Sequence, residues 1–244
     1  MYELLNQNKF AQPGANDTVW RYMDLARFIS ILEESVLFFS QAKLMADKWE
    51  GAWGGSATTG DVEELKFLRE RGREEIYLNC WNVSEYESAA MWDIYQREGR
   101  GVAIRSTWGR LTESITSSWD IHGGKVLYVD VAKVPVADGN IYTPFMHKRV
   151  SFAHENEARL MLWDLEEAGP LDDRFNLEVQ SQRTNGSFHG PGFKVRIDVE
   201  VLIESVYVAP DLPEWIGALI VQVVTRYGHK FPVIQSDLST SPIL

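Results

Sequence analysis

Residues 148–164 read KRVSFAHENEARLMLWD, and the fold turns on whether the second half of this stretch is extended or helical. In an extended chain successive side chains alternate faces, so Glu155, Glu157 and Arg159 line one side. Phe152, Ala158, Leu160 and Leu162 then line the other, which suits a core. Glu, Ala, Arg, Leu and Met also propagate helices well, so a helix competes for the same residues. We expect a helix up to about His154 and a strand after it. Two carboxylates and a guanidinium on one face of a rigid strand would make a site. The alternative is an Arg159 that pairs with its neighbours on a solvated sheet face, as surface ion pairs commonly do.

Residues 1–18 are polar and carry Pro13, Gly14, Asn16 and Asp17, the composition of an arm with a turn. Residues 19–244 read as one α+β domain. Val19–Tyr22 has the character of a first strand, and Asp24 can cap a helix with Leu25, Phe28, Ile29 and Leu32 at helical spacing. Residues 36–40 read as a buried strand, 42–46 as a helical turn, and the Gly/Ser/Thr-rich 52–60 as a candidate lid. Asp61 opens an amphipathic helix to about Gly72, and residues 75–81 follow as a strand. Ser84-Glu85-Tyr86-Glu87 has the form of a capping box for a helix through Met91, Trp92 and Tyr95. Residues 102–106 read as a strand, Thr107 caps a helix to about Ser118, and Gly123-Gly124 precede a strand over 125–131. Residues 169–192 read mostly as loop, 193–199 and 202–208 as strands, 213–227 as a helix and 231–234 as a last strand. Helices and strands mix without regular βαβ alternation. That favours a central mixed or mostly antiparallel sheet flanked by helices.

The composition sets bounds on function. The chain has 244 residues, 45% of them apolar and 24% charged, as in ordinary soluble globular proteins. Its formal net charge of −11 argues against a broad nucleic-acid-binding surface, while a local basic groove stays open. The single cysteine, Cys80, excludes an internal disulfide and a multi-cysteine zinc site, and its apolar flanks suit a buried thiol. No apolar run approaches the roughly 18 residues of a membrane span, and no signal-peptide pattern opens the sequence. A soluble, cytoplasmic protein is the expectation.

Familiar catalytic signatures are mostly missing. The sequence has no Walker A loop, no Gly-x-Ser-x-Gly elbow and no zincin spacing after His154-Glu155. The five histidines show no ligand pattern, and no metal is expected. What remains is ionic and aromatic: Arg21, Tyr22, Ser40, Asp47, Glu50, Trp92, Tyr95, Lys148, Glu155, Glu157 and Arg159. An Arg on a first strand can clamp phosphate with its fork of donors. A Glu on a later strand can stabilise an oxocarbenium-like ribose, and a second Glu two residues earlier can take a proton from a nucleophile. Together these roles describe cleavage of the nicotinamide–ribose bond of NAD.

Two resemblances bear on this. The ordered motifs Trp20-Arg21-Tyr22-Met23-Asp24, Leu37-Phe38-Phe39-Ser40, Asp47-Lys48-Trp49-Glu50-Gly51, Cys80-Trp81, the segment Glu87–Tyr95, and Lys148-Arg149…Phe152…Glu155…Glu157…Arg159 resemble a widespread bacterial family. That family is catalogued as domain of unknown function twenty-nine seventy-one; the likeness covers about residues 19–240 and implies no activity. Trp20-Arg21-Tyr22, Phe38-Phe39-Ser40 and Glu155-Asn156-Glu157 are also similar to the three motifs of the Arg-Ser-Glu class of ADP-ribosyltransferases. This second resemblance implies that Arg21 binds NAD phosphate, that Ser40 braces the site, that Glu157 is catalytic and that Glu155 acts on the acceptor; Tyr22, Trp92 and Tyr95 are further candidates for cofactor binding, the aromatic rings by stacking. It implies NAD as substrate, a nucleic-acid or protein acceptor, and a toxin or phage-defence role.

Each residue also has a structural reading. Arg21 can be a buried ion-pair partner of Glu50 or Glu157, and Ser40 a turn residue. Trp92 and Tyr95 can pack in a core, and Asp47 and Glu50 can cap a turn. The expected function is an ADP-ribosyltransferase-like enzyme. The alternatives are a non-enzymatic nucleotide- or partner-binding module and, third, a metal-dependent nuclease.

Overall fold

The computed structural model describes residues 10–52, 62–95, 101–130, 133, 141–163 and 192–240. In chain order the elements are β1 (Thr18–Asp24), α1 (Leu25–Glu34), β2 (Val36–Gln41), α2 (Val62–Glu75), β3 (Ile76–Val83), α3 (Ala89–Tyr95), β4 (Gly101–Thr107), α4 (Trp108–Glu113), β5 (His122–Lys125), β6 (Leu127–Val129), β7 (His147–Arg149), β8 (Glu157–Trp163), β9 (Gly192–Arg196), α5 (Val199–Leu202), β10 (Ser205–Val208), α6 (Glu214–Arg226) and β11 (Val233–Gln235). The class is mixed α and β with mostly antiparallel pairing, as the sequence led us to expect. Met1–Gln12, Phe38–Cys80 and Ser118–Val195 gather into one unit; Pro13–Leu37, Trp81–Ser117 and Arg196–Leu244 gather into another.

In the second of these units β1 is the central strand. It runs antiparallel to β4 from Thr18↔Thr107 to Asp24↔Gly101, and pairs with the end of β3 at Val19↔Val83. On the far side of β4 lies β10, antiparallel, and then β11, parallel to β10. Asp24 caps α1 by accepting from the Arg27 N–H at 2.8 Å, and Thr107 caps α4 through Arg110 at 3.3 Å. The core of this unit gathers Trp20, Tyr22, Met91, Trp92, Ala103 and Ala209. The expected capping box at Ser84 does not open α3. Ser84 Oγ instead accepts from Tyr86 N–H in a turn, and Ser88 Oγ accepts from Met91 N–H at 3.3 Å as the helix begins. The reason is tertiary: the Ser88 N–H donates to the buried Tyr22 hydroxyl at 2.8 Å, which fixes where the helix starts.

In the first unit β3 pairs with β2 at Ser40↔Leu78 and with β8, β8 pairs antiparallel with β5, and β9 lies beside β2. A separate short ladder joins β6 and β7 in parallel. Ala42, Ile76, Leu78, Phe145, Met146 and Met161 form its core. Gly123-Gly124 lie inside β5 rather than ahead of it. The arm passes over them: Ala11 O accepts from Lys125 N–H at 2.7 Å, and a Cβ on Gly124 would stand 2.7 Å from Phe10 Cβ.

A 3-10 helix over Val150–Glu155 ends at Asn156, whose φ of 35° is left-handed, and β8 starts at the next residue. The helix-then-strand expectation therefore holds, with one correction. Glu155 is not on the strand, so only Glu157 and Arg159 share its polar face. From Glu157 to Leu162 every residue is buried, so both faces of β8 are covered rather than one being solvated. Residues 53–60 of the candidate lid and 169–191 of the long loop lie outside the described residues. Among the described residues no helix is long and apolar enough to cross a membrane.

Candidate active site

Arg159 is completely buried, and its guanidinium has five N–H donors. Nη1 and Nη2 donate to Glu50 Oε2 and Oε1, each at 2.8 Å. Nε and Nη2 donate to Glu157 Oε1 and Oε2 at 2.6 and 3.0 Å. The second Nη1 N–H reaches the Phe145 carbonyl. All five donors are spent. A charge buried this deeply is tolerable only when it is paired and fully hydrogen-bonded, and this one is.

Glu50 arrives on the turn that ends at Gly51, where φ is 74°. The turn is fixed by the Glu50 N–H to Asp47 O at 3.0 Å, and by Arg73 donating to the Glu50 carbonyl at 2.8 Å. A Cβ on Gly51 would sit 2.7 Å from the Phe145 ring, so both the backbone and the space call for glycine. Lys148, from β7, places its ammonium against Glu155, 3.2 Å from Glu157 Oε2 and 3.8 Å from Glu50 Oε1. Three carboxylates face two cations, so with all five ionised the cluster carries one net negative charge. The Glu157 N–H donates to Tyr128 Oη at 2.9 Å, which ties the strand start to β6.

The two glutamates of the Glu-x-Glu pair are driven in opposite directions. Burial alone would raise the Glu157 carboxyl, but Arg159 and Lys148 outweigh it and hold it at about 2. Glu155 is raised, because its burial outweighs the pull of Lys148. Burial disfavours the Lys148 cation, yet Glu157, Glu50 and Glu155 push its pKa up, so it stays charged. The Cys80 thiol is pushed up by burial and by Glu157, with which it shares a hydrogen bond, and stays protonated.

A second ion pair adjoins the first. Asp47, itself buried, accepts from Arg149 Nη2 at 2.7 Å and Nε at 3.2 Å.

Of the residues singled out in the sequence, Asp47, Glu50, Lys148, Glu155, Glu157 and Arg159 are thus brought together. Ser40 belongs to the same unit but sits in the β2–β3 ladder opposite Leu78. Arg21, Tyr22, Trp92 and Tyr95 belong to the other unit. There the Arg21 guanidinium lies 5.7 Å from the Trp81 ring centre. Tyr22 and Trp92 pack edge to face at 4.9 Å, and Trp92 Nε1 donates to Glu87 at 2.9 Å. Tyr95 is exposed. Sequence reasoning passed over Arg149, Arg73 and Tyr128 as contributors. Arg149 had a signal, since it sits inside the Lys148-Arg149 motif; Arg73 and Tyr128 had none. Among the described residues no group of three His, Cys, Asp or Glu side chains is arranged to hold a metal ion.

No family model matches the sequence, and no curated protein does. Solved structures of DarT from Thermus sp. 2.9 are similar in outline. The complex with carba-NAD+ aligns at 11% identity and a TM-score of 0.37, covering 91% of this chain and 96% of that one. The NAD+ complex gives 7%, 0.39, 93% and 98%, and the complex with ADP-ribosylated ssDNA gives 7%, 0.41, 92% and 95%. Likeness at this level leaves the chemistry to this chain's own side chains.

Proposed function

We propose that the protein is an ADP-ribosyltransferase-like enzyme that cleaves the nicotinamide–ribose bond of NAD and passes ADP-ribose to a nucleic-acid or protein acceptor. The observation that carries this reading is the Glu155/Glu157 pair, bridged by one ammonium and pushed to opposite acidities. Environments that separate two carboxylates in this way are how a site divides acid–base labour.

In the proposed reaction nicotinamide leaves with the bonding electron pair, and positive charge develops on the ribose. Glu157, ionised across the physiological range, stabilises that charge from a fixed position. The acceptor's nucleophile attacks the anomeric carbon and gives its proton to Glu155, whose raised proton affinity suits a base. Arg159 and Glu50 act at one remove: they hold Glu157 in place and touch no substrate. The Lys148 ammonium stands between the glutamates, where the ribose cation would develop, so substrate entry requires it to withdraw.

The test is nicotinamide release from NAD by the wild-type protein and by Glu157→Gln. The substitution keeps the shape and removes the charge. A loss of at least about a hundredfold supports the reading. Absence of both NAD binding and turnover in the wild type, even with cell lysate as acceptor, sinks it.

A second reading has its own support. Every donor of Arg159 is used, and Glu50 and Glu157 are almost wholly buried, as expected of a cluster that only holds the fold. On that reading the protein is a nucleotide- or partner-binding module, and NAD binds without turnover.

A further inference from the structure

A helix that packs against a sheet on one side ordinarily turns polar residues to water on the other, and α6 does not. Between Glu214 and Arg226 its only other polar side chains are Gln222 and Thr225. The inward side is already filled: Ile220 and Val224 are buried, and a Cβ on Gly217 would meet Gln235 and Val208 at 3.8 and 4.0 Å. The outward side is apolar as well. Trp215, Leu219 and Val221 are 65%, 39% and 47% exposed, and Ala218 is exposed beside them. Trp215, Ala218, Leu219, Gln222 and Arg226 succeed one another at steps of three and four, so they form one row along a helix about 20 Å long.

Single exposed apolar side chains need no explanation, but a helix that is apolar on both sides is one that something covers. The charges at its ends select the cover. Glu214 lies in the first turn and Arg226 in the last; both are exposed, and among the described residues neither has an ion-pair partner. Each suits the dipole of its own helix, which accounts for the charges but not for the apolar row between them. We propose that α6 is the contact of a homodimer, two copies of the helix packing antiparallel about a two-fold axis near Ile220. That arrangement sets Glu214 of each copy against Arg226 of the other, at both ends at once. Between them Trp215 and Leu219 of each copy close over the other's row, and the small Ala218 lets the helices approach. A two-fold contact must be complementary to itself, and a row that runs from acid through apolar to base meets that condition when paired antiparallel. A lipid surface is the poorer occupant. Interfacial helices are rich in Lys and Arg on their polar face, whereas α6 has one Arg, and the net charge of −11 repels anionic headgroups. One helix is a small interface, so the dimer is expected to be weak, with a dissociation constant on the order of 10 µM. The inference is independent of the transferase reading.

The experiment is sedimentation velocity of the full chain from about 1 to about 200 µM, a range that brackets the expected dissociation constant. Wild type is expected to pass from 27.9 kDa to twice that mass as concentration rises. Trp215→Ala is expected to weaken the dimer at least about tenfold, as the loss of a central aromatic anchor does. Glu214→Arg and Arg226→Glu each set like charges together at both ends of the contact, so each protein alone is expected to stay monomeric. Mixed in equal amounts, the two are expected to dimerise with each other, because every facing pair is then again of opposite charge. Mixing cannot repair a folding defect, so recovery belongs to the contact itself. Thermal melts verify that each variant is folded, and Trp215→Ala carries the test if a charge variant is not. Wild type that stays monomeric throughout overturns the proposal, and so does a dimer that Trp215→Ala leaves unchanged. Folded charge variants that dimerise as wild type does, or that stay monomeric when mixed, overturn it too. Monomeric wild type that sediments with vesicles of anionic lipid would give the helix to a membrane surface instead.

Discussion

Arg159 is held by two glutamates from different parts of the chain, Glu157 two residues before it and Glu50 109 residues away in sequence. Removing the cation would strand two buried carboxylates, which costs far more than the net value of the intact cluster. Arg159→Met is therefore expected to destabilise the protein by about 3–5 kcal/mol, read from urea unfolding. A loss under about 1 kcal/mol would show that water reaches the cluster and screens its charges. A large loss of stability would not by itself speak to catalysis, which is why Glu157→Gln is the variant for turnover.

The start of α3 separates a sequence rule from a structural outcome. Ser84 and Glu87 satisfy the capping-box pattern, yet Glu87 is engaged by Trp92 Nε1 and Ser88 Oγ accepts from the Met91 N–H in the helix's first turn. Ser88→Ala is expected to cost about 1 kcal/mol, the usual value of a lost cap, while Ser84→Ala stays within about half of that. Urea midpoints of the two variants check the order, and equal losses would restore the box. By contrast Asp24 and Thr107 cap α1 and α4 where the sequence pattern puts them. No competing tertiary contact displaces either start.

For the whole molecule, acidity is the lever. The isoelectric point is about 5.0, so lowering the pH from neutral relieves self-repulsion among the surface carboxylates. Glu155 acts in the same direction: its folded pKa is raised, so the cost of keeping it ionised disappears as it protonates. Glu157 acts in the opposite direction. Its folded pKa of about 2 lies below the ordinary 4.5, so its contribution is complete above 4.5 and is lost as the pH falls toward 2. That loss is on the order of 3 kcal/mol. Stability is expected to peak near pH 5 and drop steeply below 4.5, and Glu157→Gln should flatten the drop. Urea midpoints measured from pH 7 to 2 decide it; parallel curves for the two proteins would remove Glu157 as the cause.

The alternation in Glu157-Ala158-Arg159-Leu160 by itself determined which residues share a face once the segment is extended, while local patterns placed the Asp24 and Thr107 caps and the mixed class. These are short-range matters of dihedral preference and hydrogen bonding between residues a few positions apart. The pairing of β8 with β3 and β5 decided strand over helix. Tertiary structure alone decided that the polar face of β8 would be buried, and that Glu155 would meet it through Lys148 rather than along the strand. It also decided that Gly124 would lie under the arm, and that Asp47 would clamp Arg149 from 102 residues away. Spacing shows which charges can lie on one face. Their partners and their proton affinities depend on which distant groups exclude water from them, and that is settled only when the chain has closed.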